Sequence, residues 1–353
     1  GLEGVSFDFL IPLMNEDKLP NFSWLIDEGC WGKLKSFSPN DPFILNSSFN
    51  TGKWPAIHRQ LSNYRYQLLT FDQEIEVVPR YIFFRQLTRI GLLLSRPASK
   101  VAFTKDIWTI FRENETSYIK RDWPYQMKIE NPKPNAEALF DRFFKDLKFE
   151  TEDIFGVVKT SFFTDCEYEE QFREEKKKSQ PEIEYLLLNG LNIVERYFYK
   201  YSFPSLFGNI DQEEITKFGP VIERYYQFYD LIIGRYLGSL KENELLVLYS
   251  PHGIEPLPLW KRFVEVLLGN SDITAYHDMA PDGIIFFYGK EISQGKNIDG
   301  IKLIDIAPTL LYYLGLHVGL DMDGVAKTYI FQDKFRDENP VPYITSYDEH
   351  TIK

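Results

Sequence analysis

The sequence predicts an α/β protein with a mostly parallel sheet covered by helices on both faces. Two observations support this fold class: short strands that are apolar throughout, and longer amphipathic segments that separate them. Strands buried on both faces appear as continuous apolar runs, and crossover helices cover both faces of a parallel sheet. The expected elements of the second half are a helix at about 214–240, a strand at 245–249, a helix at 257–268, a strand at 283–289 and a helix at 305–316.

The first half of the chain is less regular. Its apolar spacings predict a helix in KLPNFSWLIDEG that ends near Gly29, and a short apolar helix before Thr51. The basic, aromatic segment 76–97 fits an amphipathic lid, a membrane-surface helix or, as we favour, a packed helix with a solvated arginine face. The remaining predictions are a helix at 138–147, a strand at 154–163 and a charge run at 167–184 that forms a solvated helix face or loop.

Composition excludes several function classes. The chain has 353 residues, 44% of them hydrophobic and 26% charged, which excludes disordered, collagen-like and disulfide-rich scaffolds. With 40 Lys and Arg against 52 Asp and Glu, the formal net charge is −12, so nucleic-acid binding is not expected as a main task. We therefore expect a globular protein of one large domain with an insertion, or of two domains.

Membrane and compartment signals are weak. No segment reaches the ~20 apolar residues of a transmembrane helix, and no signal peptide is recognisable at the start. Two cysteines, Cys30 and Cys166, cannot form a disulfide framework and form no C-x-x-C pair. The compartment stays open, with a reducing, cytoplasmic interior favoured.

One polar residue lies at the predicted carboxyl end of a strand, which is where α/β proteins commonly have their functional sites. His252 follows directly after the apolar strand predicted at 245–249. Binding and catalytic residues of parallel sheets lie at the carboxyl ends of strands. His252 is therefore a candidate site residue, whereas His58 is interpreted as a hydrogen-bonded core or loop residue without chemistry. The Ser47–Ser48 pair, on the predicted helix before Thr51, could at most offer a hydroxyl near the site.

A set of motifs then points to a known family. Six segments occur in this order: GLEGVSFDFL, LPNFSWLIDEGCWGKL, SSFNTGKWPAIH, LLVLYSPHG, APDGIIFFYG and IDIAPTLLYYLGLHVGLDMDG. Together they resemble the type I phosphodiesterase/nucleotide pyrophosphatase family of the alkaline phosphatase superfamily, over close to the whole chain. The resemblance implies a three-layer α/β/α core, here residues 1–60 and 186–353, with a substrate-selecting cap in the insertion 61–185.

The resemblance also implies a reaction and a set of residues. In the family, two divalent cations, usually zinc, flank a Thr or Ser nucleophile and stabilise the leaving oxygen of a phosphate ester. Two metal-ligand positions of the family are retained in this chain, by His252 and His277. The other positions are matched by Glu3 for an aspartate, Pro251 for an aspartate, Asn192 and Arg196 for Asp-x-x-x-His, and Pro42 or, with a shift of one residue, Asp41 for the nucleophile.

These replacements favour binding over catalysis. An arginine at a ligand position adds a fixed positive charge that opposes a cation there. We therefore expect a relative that binds a small anionic or phosphorylated ligand through Asn192 and Arg196 with no cofactor at full occupancy. The candidate metal-ligating residues are the retained His252 and His277 and the conservatively altered Glu3. Any metal that binds is expected as a single zinc or manganese ion beside Glu3, His252 and Asp41.

Three alternatives stay open from the sequence alone. The chain could instead be a phosphodiester or phosphomonoester hydrolase with an unusual single-metal site. It could also be a structural subunit without a small-molecule ligand. Finally, Arg196 could form an ion pair with Glu195 or another acid, which would remove it from the anion pocket.

Overall fold

The computed structural model describes residues 1–37, 40–62, 64–75, 84–97, 104–123, 132–147, 152–277 and 280–348. These residues form a mixture of α-helices and β-strands. The helices are α1 (Phe7–Asn15), α2 (Pro20–Glu28), α3 (Pro42–Thr51), α4 (Pro55–His58), α5 (Phe84–Arg89), α6 (Ile107–Glu113), α7 (Pro134–Phe144), α8 (Glu152–Ser179), α9 (Gly190–Ser202), α10 (Gln212–Phe218), α11 (Pro220–Ser239), α12 (Leu259–Leu267), α13 (Ile306–Tyr313) and α14 (Asp333–Glu338). The strands are β1 (Cys30–Leu34), β2 (Tyr64–Leu68), β3 (Glu74–Ile75), β4 (Leu93–Pro97), β5 (Tyr118–Arg121), β6 (Ile183–Leu186), β7 (Leu246–His252), β8 (Glu255–Pro256), β9 (Ala275–Tyr276), β10 (Asp282–Tyr288), β11 (Lys296–Asn297), β12 (Val318–Gly319) and β13 (Tyr343–Ile344).

The chain divides into two compact units. The first comprises Gly1–Asn40, Glu115–Ile301 and Tyr329–Glu338, and the second Asp41–Asn114, Lys302–Thr328 and Asn339–Lys353. The predicted insertion 61–185 does not coincide with either unit, because its first part belongs to the second unit and its remainder to the first.

The main sheet of the first unit is mixed. Its strand order is β11-β1-β10-β7, in which β10 runs antiparallel to both β1 and β7, and β1 pairs in parallel with β11. The expectation of a mostly parallel sheet is therefore corrected to a mixed one. The apolar sequences of β7 and β10 indicate that both strands are buried on both faces. They carry no information on strand direction, because a buried antiparallel strand is as apolar as a buried parallel one.

A short N-terminal segment links this sheet to a second pair of strands. Leu2 N donates to Tyr249 O at 2.8 Å on one side, and Glu3 N donates to Leu188 O at 2.9 Å on the other. The second pair, β5 and β6, is parallel. Residues 1–3 thus lie between β7 and the segment that follows β6, and this places Glu3 at the same edge as the end of β7.

Most elements of the second half match their predictions. The strands expected at 245–249 and 283–289 are β7 and β10, and the helices expected at 257–268 and 305–316 are α12 and α13. The long helix expected at 214–240 is divided into α10 and α11. The division falls at Gly219 and Pro220, where the proline takes the first turn of α11 and cannot continue α10.

One predicted strand is wrong. Residues 154–163 belong to α8, a 28-residue helix that also carries most of the predicted charge run. Phe155, Val158 and Phe162 are all buried and are spaced at i, i+3 and i+7, which is a helical period. The apolar run IFGVVKTSFF concealed this spacing because a buried helix and a buried strand both appear as continuous apolar sequence.

The core of the first unit is strongly aromatic. The rings of Phe162 on α8 and Phe228 on α11 lie 4.2 Å apart, and Phe140 on α7 packs against Phe162 at 5.3 Å. Helices α8 and α11 both pack against α9. Because aromatic side chains supply large buried areas, this cluster holds α9 firmly in place.

The second unit is built around α3. Asp41 caps this helix, since its Oδ1 accepts from Phe43 N at 2.9 Å and Ile44 N at 3.3 Å. The helix ends at Gly52, whose φ of 65° is a left-handed conformation that favours glycine. Next to it, the buried Lys53 bridges Asp321 at 2.6 Å and Asp348 at 2.7 Å.

The aromatic segment 76–97 also belongs to the second unit. Residues 76–83 lie outside the described part of the chain. The remainder forms the short helix α5 and the strand β4, which pairs with β2 in a three-stranded antiparallel sheet with β3. A continuous helix over 84–97 is therefore wrong.

Candidate functional site

Four segments of the first unit carry the predicted site residues. His252 ends β7, His277 follows β9, Arg196 lies on α9, and Glu3 lies in the N-terminal segment. Glu3 is only 5% exposed, and both histidines are buried. Arg196, His277 and His252 are joined by side-chain contacts, and Glu3 interacts electrostatically with Arg196, although these residues are far apart in sequence.

Helix α9 is held at its start by a buried carboxylate. Asp165 on α8 accepts four hydrogen bonds, from Trp123 Nε1 at 2.6 Å, Tyr225 OH at 2.8 Å, Tyr229 OH at 2.9 Å and Gly190 N at 3.3 Å. Burial raises the pKa of Asp165 to about 6, and these donors counteract the rise. A Cβ at Gly190 would collide with Tyr225 and Asp165, so only glycine allows this approach.

Four side chains form a stack at the site. The guanidinium of Arg196 lies 4.9 Å from the centroid of the Tyr276 ring. Tyr276 stacks on His277, and His277 stacks on His252, each pair with centroids 4.5 Å apart. Asn40 Nδ2 donates to the backbone oxygen of His277 at 2.7 Å and further restrains this segment.

The hydrogen bond between Arg196 and His277 determines the tautomer of the histidine. Arg196 Nη2 lies 3.2 Å from His277 Nδ1. A guanidinium has only donors, so Nδ1 must accept and the ring proton must lie on Nε2. His277 thus presents an N–H at Nε2, and neither of its nitrogens offers a lone pair to a metal in this arrangement.

His252 has the opposite tautomer. Its Nδ1 lies 2.9 Å from the backbone oxygen of Gly253, and a carbonyl oxygen can only accept. The ring proton of neutral His252 therefore lies on Nδ1, and Nε2 carries the lone pair. The two stacked histidines consequently present different chemistry, a donor from His277 and an acceptor from His252.

Arg196 is not paired with Glu195. No described carboxylate forms an ion pair with its guanidinium, and Nε of Arg196 is buried without a hydrogen-bond partner among the described residues. Glu195 Oε1 instead accepts from Tyr226 OH at 3.3 Å, while the same hydroxyl accepts from Ser6 N at 3.2 Å. Sequence reasoning missed Ser6 and Tyr226, although Ser6 lies three residues after Glu3 in the first motif.

The side-chain amide of Asn192 is held by a hydrogen bond to Asn189. Its Nδ2 donates to Asn189 Oδ1 at 2.8 Å, which engages one of the two N–H groups of the amide. The side chain is fully buried, and among the described residues Oδ1 has no hydrogen-bond partner.

Two glutamate side chains near Asn192 also have a carboxyl oxygen that forms no hydrogen bond within the described residues. Within the described residues, Glu3 Oε2 and Glu195 Oε2 are buried without a hydrogen-bond partner. Burial raises the pKa of Glu3 to about 7, against the opposing charge of Arg196. Burial also raises the pKa of Glu195 well above its usual range, against the Tyr226 hydroxyl and Arg196.

Gly4 brings these groups together. Its φ is +93°, and a Cβ there would lie 2.5 Å from Glu195 Oε2 and 3.0 Å from Asn192 Cβ. Any other residue would fill the space beside both side chains. The N-terminal segment therefore packs closely against α9 because position 4 is glycine.

The candidate metal ligands do not form a recognisable cluster. Among the described residues, no group of three or more His, Cys, Asp or Glu side chains is arranged to hold a metal ion. Asp41, the predicted stand-in for the nucleophile, caps α3 in the second unit. Its carboxylate thus has a structural role in helix capping.

The second unit also contains a Ser–His contact. Ser48 Oγ and His58 Nε2 lie 2.9 Å apart, and His58 Nδ1 accepts from Gln60 N at 2.9 Å. His58 therefore carries its proton on Nε2 and donates it to Ser48, the reverse of a base that activates a nucleophile. Burial lowers the pKa of His58 to about 4, so the neutral tautomer persists and the pair is structural.

The mixed α/β fold with its site at the ends of β7 and β9 agrees with the architecture of an alkaline phosphatase-like protein. The family model of type I phosphodiesterase/nucleotide pyrophosphatase matches residues 1–305. The chain belongs to this family, as its motifs indicated. No individual curated protein matches it. No helix in the described part of the chain is long and apolar enough to cross a lipid bilayer.

Proposed function

We propose that this family member binds a phosphate-bearing or other anionic ligand at Arg196, and that it does not perform two-metal hydrolysis. Membership of the family suggests phosphodiesterase or pyrophosphatase-like activity, and the proposal departs from that activity because of one observation. Arg196 donates to His277 Nδ1, which occupies the lone pair of that nitrogen and leaves the ring proton on Nε2, so the neutral ring in this tautomer has no lone pair left for a metal.

The charge of Arg196 supports binding of an anion. A guanidinium is permanently protonated and offers a planar set of donors that suits phosphate and carboxylate oxygens. Its buried Nε has no hydrogen-bond partner among the described residues. A buried donor without a partner is costly, so a ligand that accepts from it is favoured.

The donor set also argues against the two cations that the family implies. The described residues contain no group of three acidic, histidine or cysteine ligands arranged for a metal, and Arg196 adds positive charge beside Glu3. Two adjacent cations each need about three protein ligands. We therefore derive no catalytic step through metal ions in this chain.

Binding and turnover test the proposal together. Phosphate and a nucleoside monophosphate are titrated by calorimetry into the wild type, Arg196→Ala and the matched control Arg235→Ala on α11. We expect binding by the wild type and the control, and a loss of about tenfold or more in Arg196→Ala, because a charge-assisted contact disappears. Hydrolysis of nitrophenyl phosphate mono- and diesters with zinc, manganese or magnesium is expected to stay near the blank.

Equal binding by wild type and Arg196→Ala would remove Arg196 from the proposed site. Turnover that requires added metal and disappears in His252→Ala would overturn the proposed lack of hydrolysis.

One observation favours a second candidate, a single-metal hydrolase. The Nδ1–H of His252 donates to a backbone carbonyl, and metal-binding histidines are commonly oriented by such a contact. Glu3 and His252 would hold the ion, which would polarise a phosphoryl oxygen. Elemental analysis of protein purified without chelator tests it, since one equivalent of zinc or manganese that is lost in Glu3→Gln would favour this candidate.

A further inference from the structure

Helix α12 turns its apolar side to solvent. Its sequence, LWKRFVEVL, places Leu259, Phe263, Val266 and Leu267 on one side, because residues at i, i+4, i+7 and i+8 share a helical face. The exposed fractions of these four side chains lie between 56% and 80%, and no residue of α12 is buried. Helices of globular proteins normally bury such a stripe against the core. The apolar face of α12, defined by these four residues, is therefore not covered by the described part of the chain.

The charged side of α12 is the side that contacts the protein. Arg262 Nε donates to Leu257 O at 2.6 Å, and the guanidinium lies 3.9 Å from the centroid of the Phe207 ring. The Nη atoms of Arg262 also contact Leu206 O, at 3.4 and 3.5 Å. These contacts hold the helix by its charged side, so the outward direction of the apolar face follows from how α12 is anchored.

The segment that carries α12 is itself held in place. It connects β8 to β9, which pair with each other in an antiparallel ladder. The pairing is extended by Leu257 N, which donates to Thr274 O at 2.9 Å, and Thr274 N donates to Arg196 O on α9 at 2.7 Å. Because α12 is anchored at both ends, its apolar face is preorganised for binding and little order has to be gained when a partner docks.

The area of this face suits a second copy of the chain. Together with Leu206, which is 52% exposed and is contacted by Arg262, the side chains of the face expose about 600 Å². Two copies related by a twofold axis would both contribute the face and would remove about 1,200 Å² from solvent, more than the ~1,000 Å² expected of a biological interface. An apolar stripe is also complementary to itself, as a twofold interface requires.

The charges argue against a lipid bilayer as the occupant. Helices that lie on membranes combine an apolar face with basic residues that attract anionic headgroups. The basic residues of α12, Lys261 and Arg262, are half-buried, and Arg262 is engaged within the chain. The net charge of −12 repels an anionic lipid surface. The same charge repels a second copy, so the contact between two copies depends on apolar burial and strengthens as salt screens the repulsion.

We propose that the chain forms a twofold-symmetric homodimer in which the apolar face of α12 packs against the same face of a second copy. Phe263 lies in the middle of the face and is the large aromatic side chain among its four residues, which makes it the main contributor to the contact. The interface uses none of the residues of the proposed anion site, so the dimer and the anion site stand or fall separately.

Sedimentation velocity of the full chain between about 1 and 100 µM protein, at about 0.05 and 0.3 M NaCl, tests the proposal. We expect a dimer whose fraction rises with protein concentration and with salt. Phe263→Glu brings a like charge from both copies into the interface and should weaken the dimer at least about tenfold. Phe71→Glu is the matched control, because Phe71 is 63% exposed against 65% for Phe263, and it should leave the dimer unchanged.

Each result decides the proposal. A wild type that stays monomeric at about 100 µM overturns it, and so does a dimer that persists in folded Phe263→Glu, as checked by circular dichroism. Flotation with phosphatidylcholine vesicles tests the bilayer, and wild-type binding that Phe263→Glu abolishes would assign the face to lipid and overturn the homodimer. If Phe263→Glu does not fold, Leu259→Glu repeats the test at the most exposed position of the face, and loss of the dimer in that variant supports the proposal.

Discussion

Two buried carboxyl groups beside α9 differ in how well their oxygens are satisfied. Asp165 lies at the start of the helix and accepts four hydrogen bonds, two on each oxygen. Glu195, on the helix itself, accepts one long bond from Tyr226, and its other oxygen has no partner among the described residues. Burial is complete for both groups, so burial alone does not distinguish them.

The difference indicates separate roles. A buried charge that is fully hydrogen-bonded stabilises a unique arrangement, and removing its acceptor leaves several donors unpaired. A buried polar atom without a partner costs stability and is retained where a ligand or a reaction uses it. Asp165 therefore belongs to the architecture that positions α9, and Glu195 belongs to the candidate site.

The largest expected effect is that of Asp165→Asn. The amide is isosteric, but its N–H₂ must face either the two tyrosine hydroxyls or Trp123 and Gly190, all of which donate. We expect a loss of about 2–4 kcal/mol in the free energy of unfolding at about pH 7, where Asp165 is ionised. The change in the free energy of unfolding is measured by urea denaturation, with tryptophan fluorescence as the signal. A cost under about 1 kcal/mol would contradict the architectural role of Asp165.

A second test uses pH and Glu3. Burial raises the pKa of Glu3 from 4.5 to about 7, so between these values the folded chain retains a proton that the unfolded chain has lost. The contribution of Glu3 to stability is therefore fully present below about pH 4.5 and falls as pH rises towards about 7, by up to about 3 kcal/mol. The comparison is with Glu3→Gln, whose unfolding free energy should lack this component. Parallel pH profiles of the two proteins would show that Glu3 does not titrate in this way.

The smallest effect is expected for Glu195→Gln, the same chemical change as in Asp165→Asn. The amide oxygen still accepts from Tyr226, and no satisfied contact is lost. We expect a change of less than about 1 kcal/mol in the free energy of unfolding, of either sign. A loss as large as that of Asp165→Asn would remove the distinction between the two carboxyl groups.

Part of the site was predictable because it follows from local sequence. His252 could be selected since it ends an apolar strand, and His277 and Arg196 through the family motifs. The structure joins Arg196 to His277 at 3.2 Å and stacks His277 on His252, which no spacing in the sequence specifies. The tautomers of the two histidines depend on the partners of Nδ1, and those partners were not recognisable before the fold was known.

Other features could not be predicted for physical reasons of the same kind. The orientation of Asn192 depends on a contact with Asn189 and on the burial of both residues. Segment 154–163 was interpreted as a strand because a continuous apolar run indicates burial but does not show whether the residues repeat with the period of a helix or of a strand. Strand direction in the main sheet was likewise invisible, since antiparallel β10 is as apolar as a parallel strand would be.

The sequence by itself determined the family, the strands β7 and β10 and the end of α3 at Gly52. These are properties of residue type and order, and they act locally through propensity, steric limits and charge. The tertiary structure alone decided that Asp165 accepts four hydrogen bonds, whereas within the described part of the chain Glu195 Oε2 has none. It also decided that Asn192 donates to Asn189 and that Arg196 donates to His277. Hydrogen-bond satisfaction depends on which distant groups are brought within about 3 Å of one another, and only the folded chain specifies that.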